Sequence, residues 1–100
     1  MFILLPMDGK DEESSKLAPI FEAKAWALLE VGEGKIHNTT FFDTREEIKE
    51  WLEVIVVVND YEPVMNFIEE QVMVLVAHTQ RSIEDIFEAF LFKELMDMPV

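Results

Sequence analysis

Residues 54–58 read VIVVV and residues 72–76 read VMVLV. Uninterrupted runs rich in β-branched residues are typical of strands that are covered on both faces of a sheet. The segment between the two runs has Pro63 near its start, and proline suits the first turn of a helix. These features predict a parallel β-α-β unit with a right-handed crossover. The helix is predicted to bury Val64, Phe67 and Ile68.

Three further strands are predicted before this unit. Residues 2–6 (FILLP) form a short apolar run, and residues 25–31 (AWALLEV) and 35–42 (KIHNTTFF) flank a turn at residues 32–34 (GEG). Two such segments joined by a glycine turn predict an antiparallel hairpin. Strict alternation along the third strand predicts one face made of Ile36, Asn38, Thr40 and Phe42.

Two capping signals predict the remaining helices. Thr44 followed by Glu47 forms a capping-box pattern, which predicts a short helix with Ile48, Trp51 and Leu52 facing inward. Ser82 with Asp85 at the third helical position predicts a final helix. The periodicity predicts an apolar stripe on that helix, made of Ile83, Ile86, Phe87, Phe90, Leu91 and Leu95.

The predicted order β-β-β-α-β-α-β-α places the chain in the α/β class. Residues 1–100 are expected to form a single domain, a ribonuclease H-like α/β/α sandwich. Its mixed five-stranded sheet has the order 3-2-1-4-5, with strand 2 antiparallel to the others. If residues 72–76 end the sheet, they present an apolar edge without Lys or Pro. We therefore expect a homodimer through that edge or through the Phe-rich last helix.

The composition excludes several kinds of function. Eight basic residues against 21 acidic residues give a net charge of −13, so nucleic acid and anionic membranes are poor partners. The charge indicates solubility first, and a basic protein partner or a cationic ligand second. The sequence has no cysteine, which excludes disulfides, thiolate-ligated clusters and a thiol nucleophile. The brief apolar start has acidic residues directly after it and no apolar run is long enough for a membrane span, so a cytoplasmic protein is predicted.

Polar residues follow the predicted parallel strands, where ligands bind in sheets of this kind. They are Asp8, Asn59, Asp60, His78 and Thr79. A two-metal nuclease site made of Asp8, Asp60 and either Glu47 or Glu50 is disfavoured, because basic residues for a nucleic acid are lacking. His37 and His78 each lack a paired base or nucleophile in the sequence pattern. The sequence therefore predicts no metal site and no enzyme.

The segment 60–63 (DYEP) begins the predicted middle helix. A helix start after a buried strand attracts anions through its free N–H groups. Asp60 and Glu62 would repel an anion from this position, so we interpret them as helix-capping residues.

Three segments resemble the dinitrogenase iron–molybdenum cofactor biosynthesis family, the NifX-like domains that also form the C-terminal part of NifB. Residues 3–9 (ILLPMDG) resemble its first strand and the P-x-D-G end of that strand. Residues 21–26 (FEAKAW) stand where the family has H-F-G-R-A-x-x-F. Residues 82–90 (SIEDIFEAF) resemble its last helix, T-V-E-E-A-I-x-A-F.

The resemblance implies a ribonuclease H-like fold and a non-enzymatic protein that binds or carries an iron–sulfur or iron–molybdenum cofactor precursor. The chain departs from the family pattern at the cofactor site. Ile20 or Pro19 replaces the family histidine, and residues 59–63 (NDYEP) replace the family's G-x-G-x-x-A segment. The first hypothesis is therefore an accessory or regulatory protein that acts through protein contacts and binds no cofactor. The alternative is a carrier of the precursor or of a small anionic ligand, using Asp8, Asn59, Asp60 and His78.

Overall fold

The structure is a computed structural model that describes residues 1–98. In this part of the chain a single mixed sheet contains six strands in the order β3-β2-β1-β4-β5-β6. The strands are β1 Phe2–Met7, β2 Ala25–Gly32, β3 Lys35–Phe42, β4 Val54–Val57, β5 Met73–Val76 and β6 Met96–Asp97. The α-helices are α1 Met65–Glu69 and α2 Ile83–Leu91, and two 3₁₀ turns cover Ile20–Glu22 and Arg45–Glu47.

The predicted sheet is confirmed from β1 to β5. Strand β1 pairs antiparallel with β2 and parallel with β4, and β4 pairs parallel with β5. All four residues of β4 are buried, as its β-branched composition predicts for a central strand. The strand order 3-2-1-4-5 and the α/β sandwich are therefore correct.

A sixth strand at the edge of the sheet was not predicted. Strand β6 pairs antiparallel with the end of β5, opposite Leu75 and Val76. The N–H of Met98 also donates to the carbonyl of Val74 at 3.0 Å. The prediction that β5 forms the edge of the sheet is wrong, because the last residues of the chain's described part cover half of that strand. The homodimer, through this edge or through the last helix, stays a prediction, although β5 is not the outermost strand as its first route assumed.

Each face of the sheet has its own apolar layer. Helix α2 covers one face, where Ile83 and Ile86 pack against side chains of β1, β2, β4 and β5. Helix α1 and the β3–β4 connection cover the other, where Val64 and Phe67 pack with Ile48 and Leu52. The predicted burial of the middle helix is confirmed, since Val64 and Phe67 are buried and Ile68 is half-buried.

The helix predicted after Thr44 is only a 3₁₀ turn. The capping contact is present, because the Thr44 N–H donates to Glu47 Oε1 at 2.9 Å. Ile48, however, adopts an extended backbone with φ −82° and ψ 121°. A helix this short gains few hydrogen bonds against the free energy of nucleation. Ile48 and Leu52 are buried without a helix, as predicted. Trp51, which was also predicted to face inward, is 84% exposed.

Strand β3 does not alternate as predicted. The pairing changes register between Glu30, opposite Asn38, and Val31, opposite Ile36, so His37 is the additional residue of a β-bulge. The bulge moves Ile36 to the face that carries Phe41, away from Phe42. The predicted turn is confirmed as a two-residue hairpin loop with positive φ at both central positions, Glu33 and Gly34.

Helix α2 matches its prediction closely. The Asp85 N–H donates to Ser82 Oγ at 3.1 Å, which is the predicted N-cap. Ile83 and Ile86 are buried, but Leu91 is 42% exposed and does not belong to the core stripe. Within the described residues, neither helix has the length and apolarity required to cross a membrane.

Candidate functional site

The predicted site residues lie at one end of the parallel strands. Strands β1, β4 and β5 are parallel neighbours, so the residues that follow them are at the same end. Asp8 follows β1, Asn59 and Asp60 follow β4, and His78 with Thr79 follows β5. All are exposed or half-buried. We call this region the strand-end region.

Asp8 closes the loop that follows β1. Its Oδ1 accepts the Lys16 N–H at 2.7 Å, and its own N–H donates to the Lys16 carbonyl at 2.9 Å. At Gly9 a Cβ would lie 3.0 Å from the Oγ of Ser15, so this close approach favours glycine. The Asp8–Gly9 pair, which resembles the family's P-x-D-G motif, therefore has a structural role here.

The same loop contains an acid that sequence reasoning did not select. Asp11 Oδ1 accepts the N–H groups of Ser14 at 2.9 Å and Glu13 at 2.8 Å. These backbone hydrogen bonds, the one from Ser14 first, lower the pKa of Asp11 below its ordinary value. The Asp11 N–H donates in turn to the buried Ser15 Oγ at 2.8 Å. Ionised Asp11 thus stabilises the loop.

The loop after β4 uses two of its polar side chains in the same way. Asn59 Oδ1 accepts the Tyr61 N–H at 2.8 Å, an Asx turn. Glu62 Oε1 accepts the Ile20 N–H at 2.7 Å across 42 residues of sequence. The prediction that Asp60 and Glu62 cap the helix is wrong, because the N-cap of α1 is Val64, which forms no side-chain cap.

The contact of Glu62 joins two segments that depart from the family pattern. Ile20 stands at or beside the family histidine, and Glu62 stands within the segment that replaces the family glycines. The carboxylate of Glu62 therefore occupies a backbone donor between these segments, where the resemblance implies a cofactor. Sequence reasoning identified both segments and could not show that they are in contact.

Arg81 fixes the loop that follows β5. Its guanidinium donates to the carbonyls of Ala77 and Gln80 at 2.8 Å and to that of His78 at 3.1 Å. The side chain of His78 itself is exposed. His37 lies on β3, four strand positions away from β5, which corresponds to about 19 Å. The two histidines of the sequence therefore cannot bind one metal ion together.

The side chains of the strand-end region do not fit an iron–sulfur cluster or an iron–molybdenum cofactor precursor as cargo. Such clusters prefer thiolate ligands, and the sequence has no cysteine. Among residues 1–98 there is no group of three histidine, aspartate or glutamate side chains in metal-binding geometry. The carboxylates of Asp8, Asp11 and Glu62 already accept backbone hydrogen bonds. Of the predicted site residues, Asp60 and His78 have no side-chain hydrogen bond within residues 1–98, and Asp60 borders an open depression of about 440 Å³ beside Pro63 and Met65.

A larger open groove lies on the α2 side of the sheet, between α2 and β3. It has a volume of about 640 Å³. Five apolar residues line it, namely Ile36, Ile83, Phe87, Leu91 and Phe92, as do four acidic ones, Glu12, Glu13, Glu84 and Glu88. Sequence reasoning missed this groove because it depends on which strand lies beside α2. The helical spacing of residues 84, 87, 88 and 91 could have indicated this second face of α2.

Solved structures show which fold this is, whereas no protein-family model and no curated protein matches the sequence. The crystal structure of a "putative dinitrogenase" from Methanocaldococcus jannaschii superposes with a TM-score of 0.76 at 14% identity, covering 97% of this chain and 93% of that one. The NMR structure of a "putative NifB protein" from Thermotoga, of the DUF35 family, gives a TM-score of 0.77 at 14% identity, covering 99% and 94%. The fold implied by the NifX-like resemblance is therefore confirmed.

Proposed function

We propose that this chain is a non-enzymatic NifX-like domain that acts in the cytoplasm as an accessory or regulatory protein by binding another protein. The observation that carries the proposal is the hydrogen bond from the Ile20 N–H to Glu62 Oε1, at 2.7 Å. The carboxylate of Glu62 thereby occupies the position between the two segments, at Ile20 and at residues 59–63, that differ from the family pattern. The net charge of −13 opposes an anionic ligand there and favours a basic partner.

The other side chains of the strand-end region support the same proposal. Asp8 and Asn59 accept backbone N–H groups of their own loops. A polar group that already satisfies the backbone must break that hydrogen bond before it can bind a ligand, and this lowers the affinity. The region is therefore better suited to hold the loops than to carry a cofactor.

A second candidate function is a carrier of the cofactor precursor or of a small anionic ligand. It is favoured by Asp60 and His78, whose exposed side chains both lie in the strand-end region. The fold shared with the Thermotoga protein described as NifB-like points in the same direction. On this proposal, Asp8, Asn59, Asp60 and His78 would contact the ligand.

Anaerobic incubation with ferrous iron and sulfide, followed by desalting and iron analysis, separates the two. The accessory function predicts that no iron is retained, because neither thiolates nor a cluster of hard ligands is present. Stoichiometric iron that is lost in His78→Ala would establish the carrier. Retained iron that is lost only in Asp8→Asn or Asp60→Asn would establish a carrier with carboxylate ligands.

A further inference from the structure

Helix α2 presents two different stripes of side chains. The core stripe of Ile83, Ile86 and Ala89 is buried against the sheet. A second stripe consists of Glu84, Phe87, Glu88 and Leu91, which follow the spacing i, i+3, i+4 and i+7 along one face. All four of these side chains border the groove. Phe87 is half-buried against the core, whereas Glu84, Glu88 and Leu91 are exposed, so the fold covers this apolar and acidic face only in part.

The opposite wall of the groove is an edge of the sheet. Strand β3 contributes residues 36–39, including half-buried Ile36. No strand pairs with the outer side of β3 within residues 1–98. At the end of α2, Leu91 is 42% exposed and Phe92 is 70% exposed. Exposed apolar side chains that share a groove with a polar rim are a feature of protein interfaces.

The charge of the groove is of a single sign. Its charged side chains are Glu12, Glu13, Glu84 and Glu88, and no lysine or arginine borders it. The two salt bridges in the described part of the chain, Lys10–Asp43 and Arg45–Glu70, involve none of these acids. Glu84 and Glu88 are also like charges at positions i and i+4, which destabilise a helix. A bound cation-rich partner would remove that repulsion.

We infer that this groove docks a basic amphipathic helix of another protein. The apolar side of such a helix would contact Ile36, Phe87 and Leu91, while its lysine and arginine side chains would pair with the acidic rim. This inference rests on the proposed function, for which it supplies the binding surface. A second copy of the chain that docked through its own α2 would bring Glu84 and Glu88 against the same acids, which opposes that arrangement.

The probe for this inference is a fluorescein-labelled peptide of leucine and lysine in helical period, about five turns long. Two peptides serve as controls: one has glutamate in place of lysine, and the other has the same composition with leucine and lysine alternating. Fluorescence anisotropy should show salt-dependent binding of the helical basic peptide only. The alternating peptide has the same charge, but its leucines form one face only in an extended conformation, so its weaker binding shows that the helical arrangement of the apolar side chains contributes.

Matched charge reversals locate the binding surface. Glu84→Lys/Glu88→Lys should raise the Kd by about tenfold or more, since two close charge pairs become repulsive. Glu46→Lys/Glu69→Lys makes the same change in net charge on the α1 side and should raise the Kd less than about threefold. Phe92→Ala removes an exposed ring and should weaken binding without affecting the core. Circular dichroism confirms that each variant is folded.

Two results would overturn the inference: equal weakening by both charge reversals, which indicates binding to the overall charge, or no binding of the helical basic peptide. If Glu84→Lys/Glu88→Lys instead changes the sedimentation coefficient of the protein alone, the groove is an interface between copies. The iron-retention test is independent of these outcomes. Absence of iron together with peptide binding that ignores the groove would leave the accessory function intact and reject only this surface.

Discussion

The strand-end region and the groove beside α2 use their acidic side chains differently. Asp8, Asp11 and Glu62 accept backbone N–H groups in the strand-end region, so the fold itself depends on them. Glu84 and Glu88 in the groove take part in no salt bridge among the described residues and repel each other. Residues at the position of a family motif can thus be structural, whereas the acids of the proposed docking groove form no ion pair within residues 1–98.

Arg81→Met tests how much the strand-end region depends on its polar contacts. Methionine keeps much of the side-chain length and removes three hydrogen bonds to the carbonyls of Ala77, His78 and Gln80. We expect a loss of about 2 kcal/mol in the free energy of unfolding, because charge-assisted bonds to backbone are lost together. Urea denaturation measures it. Lys49→Met, at an exposed position, is the control and should change stability by less than about 0.5 kcal/mol.

Glu62→Ala tests the contact that fills the family's cofactor position. Without its acceptor the Ile20 N–H is left unpaired, and we expect a loss of about 1 kcal/mol. Glu62→Gln keeps a carbonyl oxygen and should recover part of that stability. Glu69→Ala, on the surface of α1, serves as the comparison and should lower stability less. If Glu62→Ala were as stable as the wild-type protein, the carboxylate would have no structural role, and the case against a ligand there would weaken.

The pH dependence of stability tests the loop that Asp11 holds. Its pKa in the folded protein is below the value of 3.8 expected for the unfolded chain, because the Ser14 and Glu13 N–H groups favour the ionised form. The contribution is therefore fully present above that value and is lost as the pH falls through the folded-state pKa. Wild type and Asp11→Ala should differ in unfolding free energy by a constant amount near neutral pH. Below pH 3.8 the difference should shrink, and a difference that persists in strong acid would contradict this account.

Glu88→Gln tests whether the acidic side chains of the groove contribute to the stability of the fold. It removes the repulsion from Glu84 one turn earlier, and we expect a gain of about 0.2–0.5 kcal/mol at low salt. High salt should abolish the gain, because exposed charges are screened. Glu94→Gln, just beyond the helix, should have no comparable effect. A clear loss of stability in Glu88→Gln would show that this side chain has a partner within the fold.

Sequence patterns predicted the parts of the fold that depend on local composition. The buried run at β4 and the Ser82 cap of α2 were correct because β-branched runs and N-caps act over a few residues. The bulge at His37 and the two-residue strand β6 depend on cross-strand pairing, which leaves no periodic signal. The helix after Thr44 was wrong because a capping pattern shows where a helix can begin and does not make it continue.

The candidate site was predictable only in part. The positions of Asp8, Asn59, Asp60 and His78 follow from the strand order, which the sequence provided. The hydrogen bonds of this region could not be predicted in the same way. The contact of Glu62 with Ile20, for example, joins residues that are 42 positions apart in the sequence. The groove is likewise a product of topology, since it requires α2 to lie beside the edge strand β3.

One measurement tests the central claim directly: the ¹⁵N–¹H correlation spectrum of the labelled protein, titrated in parallel with the leucine–lysine helical peptide and with inorganic phosphate. The peptide should shift the amide signals of residues 36–39 and of Glu84, Phe87, Glu88 and Leu91. Phosphate should leave the amides of Gly9, Asp60 and His78 unchanged. Saturable shifts at those three amides with phosphate, and none in the groove with the peptide, would contradict the account and show that the strand-end region still binds ligands.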